Sequence, residues 1–186
     1  MRVASGDWCA SSAAGRLDIV SVDWSVVYRD TYPDLVRYLH RKVWDADRAQ
    51  DLAQEVFVRA LDQNPDNPRA WLFTVATNLA RDEARSVIRR RRHLQLVKVE
   101  VEAATPEEPD AVLERTERER QVRRALESLS ERDREVLLLW DAGLNYEEIA
   151  RQTGLAVSAI GTTLARARRR LVDAHAALEE RNVARG

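Results

Sequence analysis

The stretch from Asn145 to Arg170, NYEEIARQTGLAVSAIGTTLARARRR, decides how this chain is read. It holds two helical patterns separated by a glycine-containing turn. Asn145 with Glu148 three residues on is a capping-box-like start, and the short helix from Tyr146 to Gln152 stops at Thr153-Gly154. A second pattern runs from about Ser158 to Leu178. Ile149, Ala150, Leu155, Ile160 and Leu164 are spaced to pin the two helices together, which is the layout of a helix-turn-helix. In such a motif the second helix fits the major groove. Short polar side chains near its start reach base edges, and arginines further along neutralise phosphates. Here Ser158, Ala159, Thr162, Thr163 and Arg166 take the outward face, followed by Arg168 and Arg169. Together with Arg170 these arginines fan around the helix, so they cannot all touch one groove. The plainer reading is a helical hairpin with a solvated arginine face, but cap, turn and apolar spacing agree on the DNA reader.

Working outward, Ser130 offers an N-cap with Asp133 three residues on, opening a helix that runs to Ala142 and stops at Gly143. Before it, Val112 to Leu129 is helical and highly charged. Between about Val99 and Asp110 the helical pattern lapses. Glu100, Glu102, Glu107, Glu108 and Asp110 sit there among Thr105, Pro106 and Pro109, as in a solvated linker.

The first half carries its own helical signals. Trp24, Val27, Tyr28, Leu35, Val36 and Leu39 recur at three- and four-residue steps, with Pro33 expected to bend or break the helix. A second helix covers about Asp47 to Asp62, with Ala49, Leu52, Ala53, Val56, Phe57 and Ala60 on its apolar face. The loop Gln63 to Asn67 is a strong breaker, and Asn67-Pro68 supplies an N-cap with proline at the first helical position. A long helix then runs from Pro68 to about Arg92. Leu72, Val75, Ala76, Leu79 and Ala80 are expected inside, and Thr74, Asn78, Arg81 and Arg85 form an outward stripe. With only 6 glycines and 5 prolines in 186 residues, the fold class is all-α.

The formal net charge of −1 hides opposing blocks. Basic residues crowd at Arg85 to Lys98 and Arg166 to Arg170, acidic ones between Glu100 and Glu119. The single cysteine, Cys9, excludes an internal disulfide framework and fits a reducing cytoplasm. No apolar run approaches the roughly 20 residues of a membrane span, so no membrane insertion is expected. His40, His93 and His175 are isolated. No catalytic residue, metal site or cofactor is expected, and the chain is not read as an enzyme.

Two surfaces in the first half invite a binding reading. Asp51, Gln54 and Glu55 form an acidic face that carries an apolar residue, Val58, a combination suited to a protein partner; a solvated charged face is the plainer alternative. Trp71 and Phe73 open the long helix beside the polar loop, where aromatics stack on unpaired bases or belong to the core. The basic end, with Arg85 and Arg89 to Arg92, suits nucleic acid because like charges that close together favour bound anions.

The run Asp51-Leu52-Ala53-Gln54-Glu55-Val56-Phe57-Val58-Arg59-Ala60-Leu61 closely resembles the region-2 helix of bacterial extracytoplasmic-function sigma factors. So does Pro68 to Asp82, PRAWLFTVATNLARD. Leu129 to Val136, Tyr146 to Ala150 and Leu164 to Arg168 resemble the same family's region 4. The resemblance implies two small helical domains, a region-2 bundle at 22–98 and a region-4 helix-turn-helix at 112–180. A flexible acidic linker at 99–111 joins them, with tails at 1–21 and 181–186. It further implies docking of Asp51, Gln54, Glu55 and Val58 on the β′ coiled coil of core RNA polymerase. The −10 promoter element would be held by Asn64, Asp66, Asn67, Trp71, Thr74, Asn78, Arg81 and Arg85. The −35 element would be read by Ser158, Ala159, Thr162, Thr163, Arg166, Arg168 and Arg169, with region 4 on the β flap. An anti-sigma factor is the expected regulator. Where family members often carry a basic-serine-basic run in the recognition helix, this chain has Gly161-Thr162-Thr163, so its −35 preference does not follow from family habit. The competing readings are a helix-turn-helix regulator that acts without polymerase docking and a helical protein that only binds partners.

Overall fold

The computed structural model describes residues 22–96 and 110–183. The expected tail at 1–21 and most of the expected linker lie outside them. Seven α-helices occur among the described residues, with no strand: α1 (Trp24–Val43), α2 (Ala46–Ala60), α3 (Pro68–Leu96), α4 (Asp110–Glu127), α5 (Glu131–Asp141), α6 (Tyr146–Thr153) and α7 (Val157–Val183). The first three pack pairwise into one bundle, while α5 and α6 pack on α7 and α4 runs against α7.

Side-chain oxygens start most of these helices by taking up free backbone N–H groups. Asp23 caps α1, Asp45 caps α2, Ser130 caps α5 and Asn145 caps α6. The Asn67 Oδ1 atom accepts from the Ala70 N–H at 3.0 Å at the head of α3. At α6 the capping box is complete, because the Glu148 carboxylate also accepts from the Asn145 N–H at 2.8 Å.

Three sequence expectations change. Pro33 neither breaks nor divides α1, which runs unbroken through it. Proline removes one backbone donor, but Thr31 and Leu35 on either side are buried and hold the helix against its neighbours. On α3 the fully buried aromatic is Phe73, in edge contact with Tyr38 at 5.3 Å, while Val75 is only partly covered. Finally, α7 continues to Val183, beyond the helix end expected near Leu178.

The polar group beneath Phe73 is fully paired. The Thr77 hydroxyl donates to the Phe73 carbonyl at 2.8 Å, which leaves its oxygen to accept from the Tyr38 phenol at 2.7 Å. Burial pushes the Tyr38 pKa well above its ordinary value.

After α5 the chain reverses at Gly143, whose φ of +85° is in the left-handed region that disfavours a side chain. A Cβ there would also lie 3.3 Å from an Arg69 guanidinium nitrogen, which reaches over from the first bundle. Gly143→Ala should therefore cost about 1–2 kcal/mol, read as a lower denaturation midpoint with an unchanged slope.

Candidate nucleic-acid interface

Recognition in the second module depends on how α6 and α7 are held. Ile149, Ile160 and Leu164 are essentially inaccessible and lock the two helices against α5. Gly154, with φ of +70°, closes α6, and its N–H donates to the Ala150 carbonyl at 2.9 Å. Ser158 and Thr162 are exposed at the start of α7, and Ala159 is partly exposed. The Thr162 hydroxyl donates to the Ala159 carbonyl at 3.0 Å, so its oxygen remains available to a ligand. Thr163 does not share this face. It is 5% exposed, because it falls one position from the buried Leu164 and three from the buried Ile160 on the inward side. The expectation that it contacts DNA is corrected to a place in the core.

The arginines of α7 have separate tasks. Arg166 donates to Asp133 Oδ1 at 2.6 Å and Arg170 to Asp133 Oδ2 at 2.9 Å. Asp133 is 1% exposed, and the Arg166 hydrogen bond holds its carboxyl below the ordinary carboxylate range; the Asp133 carboxylate in turn raises the Arg166 pKa. Arg168 lies over the Trp140 ring at 5.5 Å, and Arg169 is exposed. Among the predicted arginines, then, Arg166 is committed to its own domain on one edge.

On the first module, Thr74, Asn78 and Arg85 lie exposed along α3, with Arg81 partly covered in the same stripe. The Thr74 hydroxyl donates to the Ala70 carbonyl at 2.9 Å. In the preceding loop Asp66 is exposed, and Asn64 Oδ1 accepts from the Val22 N–H at 2.9 Å. The Trp24 indole donates to the Gln63 carbonyl at 3.2 Å and tilts against Trp71 with ring centroids 6.3 Å apart. Trp71 is therefore half core, half surface. Trp24 stands out as a loop-shaping residue only in three dimensions, since its partner is 39 positions away along the chain.

The face expected to meet a protein is continuous on α2. Asp51 and Gln54 are exposed, Glu55 is partly exposed and ion-paired with Arg59, and Val58 is 65% exposed. Leu61, at 66%, extends the apolar part by one turn. Its position three residues after Val58 is the signal that sequence reading passed over.

Both halves of the chain have known relatives. The family models for Sigma-70 region 2 and Sigma-70, region 4 match residues 27–92 and 119–171. A Bacillus subtilis protein, RNA polymerase sigma factor YlaC, is 32% identical over 149 residues, 76% of this chain and 86% of its own length. The chain belongs to the extracytoplasmic-function sigma factors. Within that family, ECF RNA polymerase sigma factor EcfG of Rhodopseudomonas palustris is 38% identical over 135 residues, 68% of this chain and 71% of its own. Among solved structures, the sigma factor RpoE from Bartonella quintana, crystallised with the anti-sigma factor NepR, superposes with a TM-score of 0.61 at 26% identity. That match covers 82% of this chain and 96% of RpoE. CnrH in complex with the cytosolic domain of CnrY gives 0.57, also at 26% identity, over 81% of this chain and 85% of CnrH.

As a sigma factor the chain has one feature that linear reading could not supply, the charge distribution of α5. Asp133 and Glu135 are two residues apart, which on a helix puts them on nearly opposite sides. Asp133 faces α7, whereas Glu135, 3% exposed, takes Arg81 of α3 and Lys42 of α1, at 2.9 and 3.6 Å. Burial pulls the Lys42 pKa below its ordinary value. No helix among the described residues is long and apolar enough to cross a membrane.

Proposed function

We propose that this sigma factor brings core RNA polymerase to promoters through two separate grips and performs no catalysis of its own. The observation that carries this reading is the presence of both family regions in one chain, in order, each with an exposed face of suitable chemistry. A helix-turn-helix regulator working without polymerase has no use for a region-2 bundle.

The α2 face of Asp51, Gln54, Glu55 and Val58 docks on the polymerase β′ coiled coil, its carboxylates meeting basic partners around an apolar centre. The 63–67 loop, with Asn64, Asp66 and Asn67, takes a base extruded from the −10 element. Trp71 offers a stacking edge and Thr74, Asn78, Arg81 and Arg85 follow the strand. Extruding a base costs a few kcal/mol, which such a pocket must offset. The exposed start of α7, Ser158, Ala159 and Thr162, reads base edges at the −35 element, with Arg168 and Arg169 toward phosphates and the β flap. RpoE was captured with the anti-sigma factor NepR and CnrH with the cytosolic domain of CnrY, and we assign this chain an anti-sigma factor as its regulator. Its work lies in the cytoplasm.

In vitro transcription with purified core polymerase on a promoter library tests the reading. Defined starts should appear only when the chain is added. Their absence at saturating chain concentrations would refute it. Deleting residues 145–178 should abolish those starts while polymerase binding through the first module persists.

A further inference from the structure

What α7 can offer a DNA groove is set by what its other faces already hold. Ser158, Thr162, Ala165 and Arg169 follow one another at four-, three- and four-residue steps, so they form one row on the helix, and all four are exposed. Ile160, Thr163, Leu164 and Ala167 are buried behind them. Arg166 and Arg170 flank the row on one side, where they bond to Asp133 at 2.6 and 2.9 Å. Gly161 flanks it on the other, and a Cβ there would lie 3.7 Å from the Tyr146 ring. That ring is 39% exposed and rests against Trp140 with centroids 5.4 Å apart, while Arg168 lies over the same Trp140. The groove therefore meets two hydroxyl-bearing side chains, an alanine methyl and an aromatic edge before the first cation of the row. That cation, Arg169, comes about 16 Å beyond Ser158 along the axis.

Base edges differ in what they ask of such a surface. In the major groove guanine presents only acceptors, N7 and O6, and is read best by arginine or lysine. Thymine adds a 5-methyl group that packs against alanine or the threonine methyl. The N-terminal half of α7, which a helix-turn-helix brings to the base edges, is ill equipped for guanine. Ala165 has no polar side-chain atom, Arg166 is held by a buried carboxylate, and the Thr162 hydroxyl spends its proton on the Ala159 carbonyl at 3.0 Å. Toward a base that hydroxyl can only accept, the wrong sense for a guanine edge. The same half suits thymine. With its hydroxyl turned back on the helix, Thr162 has its methyl left for the groove, in one row with the Ala165 methyl.

We propose that this chain reads its −35 element at thymine 5-methyl groups, through Thr162, Ala165 and the Tyr146 ring, and makes no specific contact to guanine there. The proposal rests on the assignment of α7 to the −35 element above, and it adds Ala165 and Tyr146 to the residues that determine specificity.

The test uses holoenzyme assembled from core polymerase and the full-length chain, on promoters selected from a randomised −35 library. Selected elements should be rich in A·T pairs, and a strict requirement for guanine would overturn the proposal. On a selected promoter, uracil in place of thymine removes only the 5-methyl group. Each such replacement facing α7 should weaken promoter binding about fourfold, the factor that burial of one methyl group carries. Replacing any guanine of the element by 7-deazaguanine removes N7 and should change nothing. Two variants then locate the contact. Thr162→Ser keeps the hydroxyl without the methyl and should no longer distinguish thymine from uracil at one position. Thr162→Val puts a methyl in place of the hydroxyl and should still distinguish them. The reverse ranking, or a wild-type holoenzyme indifferent to uracil, would overturn methyl readout and leave the sigma assignment standing. A holoenzyme with no defined start on unmodified DNA would overturn both.

Discussion

Val58→Glu should abolish promoter-dependent transcription while leaving the folded chain intact. Val58 is 65% exposed and makes no contribution to the bundle core, so the substitution should change folding stability by no more than about 0.5 kcal/mol. Its effect is on docking. The residue is the apolar centre of a face that otherwise presents Asp51, Gln54 and Glu55, and centres of that kind carry most of an interface's energy. A carboxylate there must be stripped of water against the partner and lies beside existing negative charge. Losing 2 kcal/mol or more corresponds to about a thirtyfold or greater rise in the dissociation constant for core polymerase. Titration of labelled chain with core enzyme, alongside thermal unfolding, separates the two effects. Binding within threefold of wild type would remove Val58, and with it the proposed α2 face, from the docking surface. Leu61 one turn on is as exposed, so Leu61→Ser should weaken the same binding by a smaller amount.

The sequence revealed most where a signal is local. The Ser130 and Asn145 caps, the Gly143 and Gly154 stops and the buried stripe of α2 all depend on spacings of four residues or fewer, and each forms as read. Of the bend or break expected at Pro33 the break is absent, because the strength of a breaker depends on what anchors the helix on either side, which lies in other elements. Thr163 misled for a related reason. The outward stripe of α7 was drawn from residue polarity, but the helix is oriented by Ile160, Leu164 and Ala167, whose burial turns Thr163 inward with them. The candidate surfaces on α2 and α3 were legible as compositions of one helix face. What covers the α3 face was not, since Glu135 and Glu148 meet Arg81 and Asn67 at separations of 54 and 81 residues. No periodicity encodes such pairs. Nor does it distinguish Asp133 and Glu135 from other acidic residues in a charged helix, although they are two of its six buried residues.

Asp133→Asn should be the most damaging polar substitution in the second module. The Asp133 carboxylate is buried at the N-terminal turn of α5, where the helix dipole favours negative charge, and it receives Arg166 and Arg170 from α7. Asparagine keeps the volume but removes the charge and one acceptor. Because both arginines keep half-exposed side chains, they can rehydrate, so the loss stays below that of breaking a fully buried pair. About 2 kcal/mol is expected, or roughly 4–8 °C in Tm for a chain of this size. The wild-type protein should show the same dependence on acidification. The pKa of Asp133 is lower when folded than its ordinary 3.8, so its stabilisation is complete above that value. It is then lost as pH falls through the depressed folded value. The asparagine variant should lack this acid-labile component. Its DNA binding should also change in a characteristic way. Arg166 and Arg170, freed from Asp133, gain phosphate contacts, and the slope of log affinity against log salt should steepen by roughly 1–2. Discrimination among −35 sequences should fall, because orientation of α7 no longer rests on a fixed pair of ion bonds. A variant with unchanged slope and unchanged sequence preference, but reduced Tm, would confine Asp133 to a structural role. An unchanged Tm would show that the paired arginines add nothing to the fold.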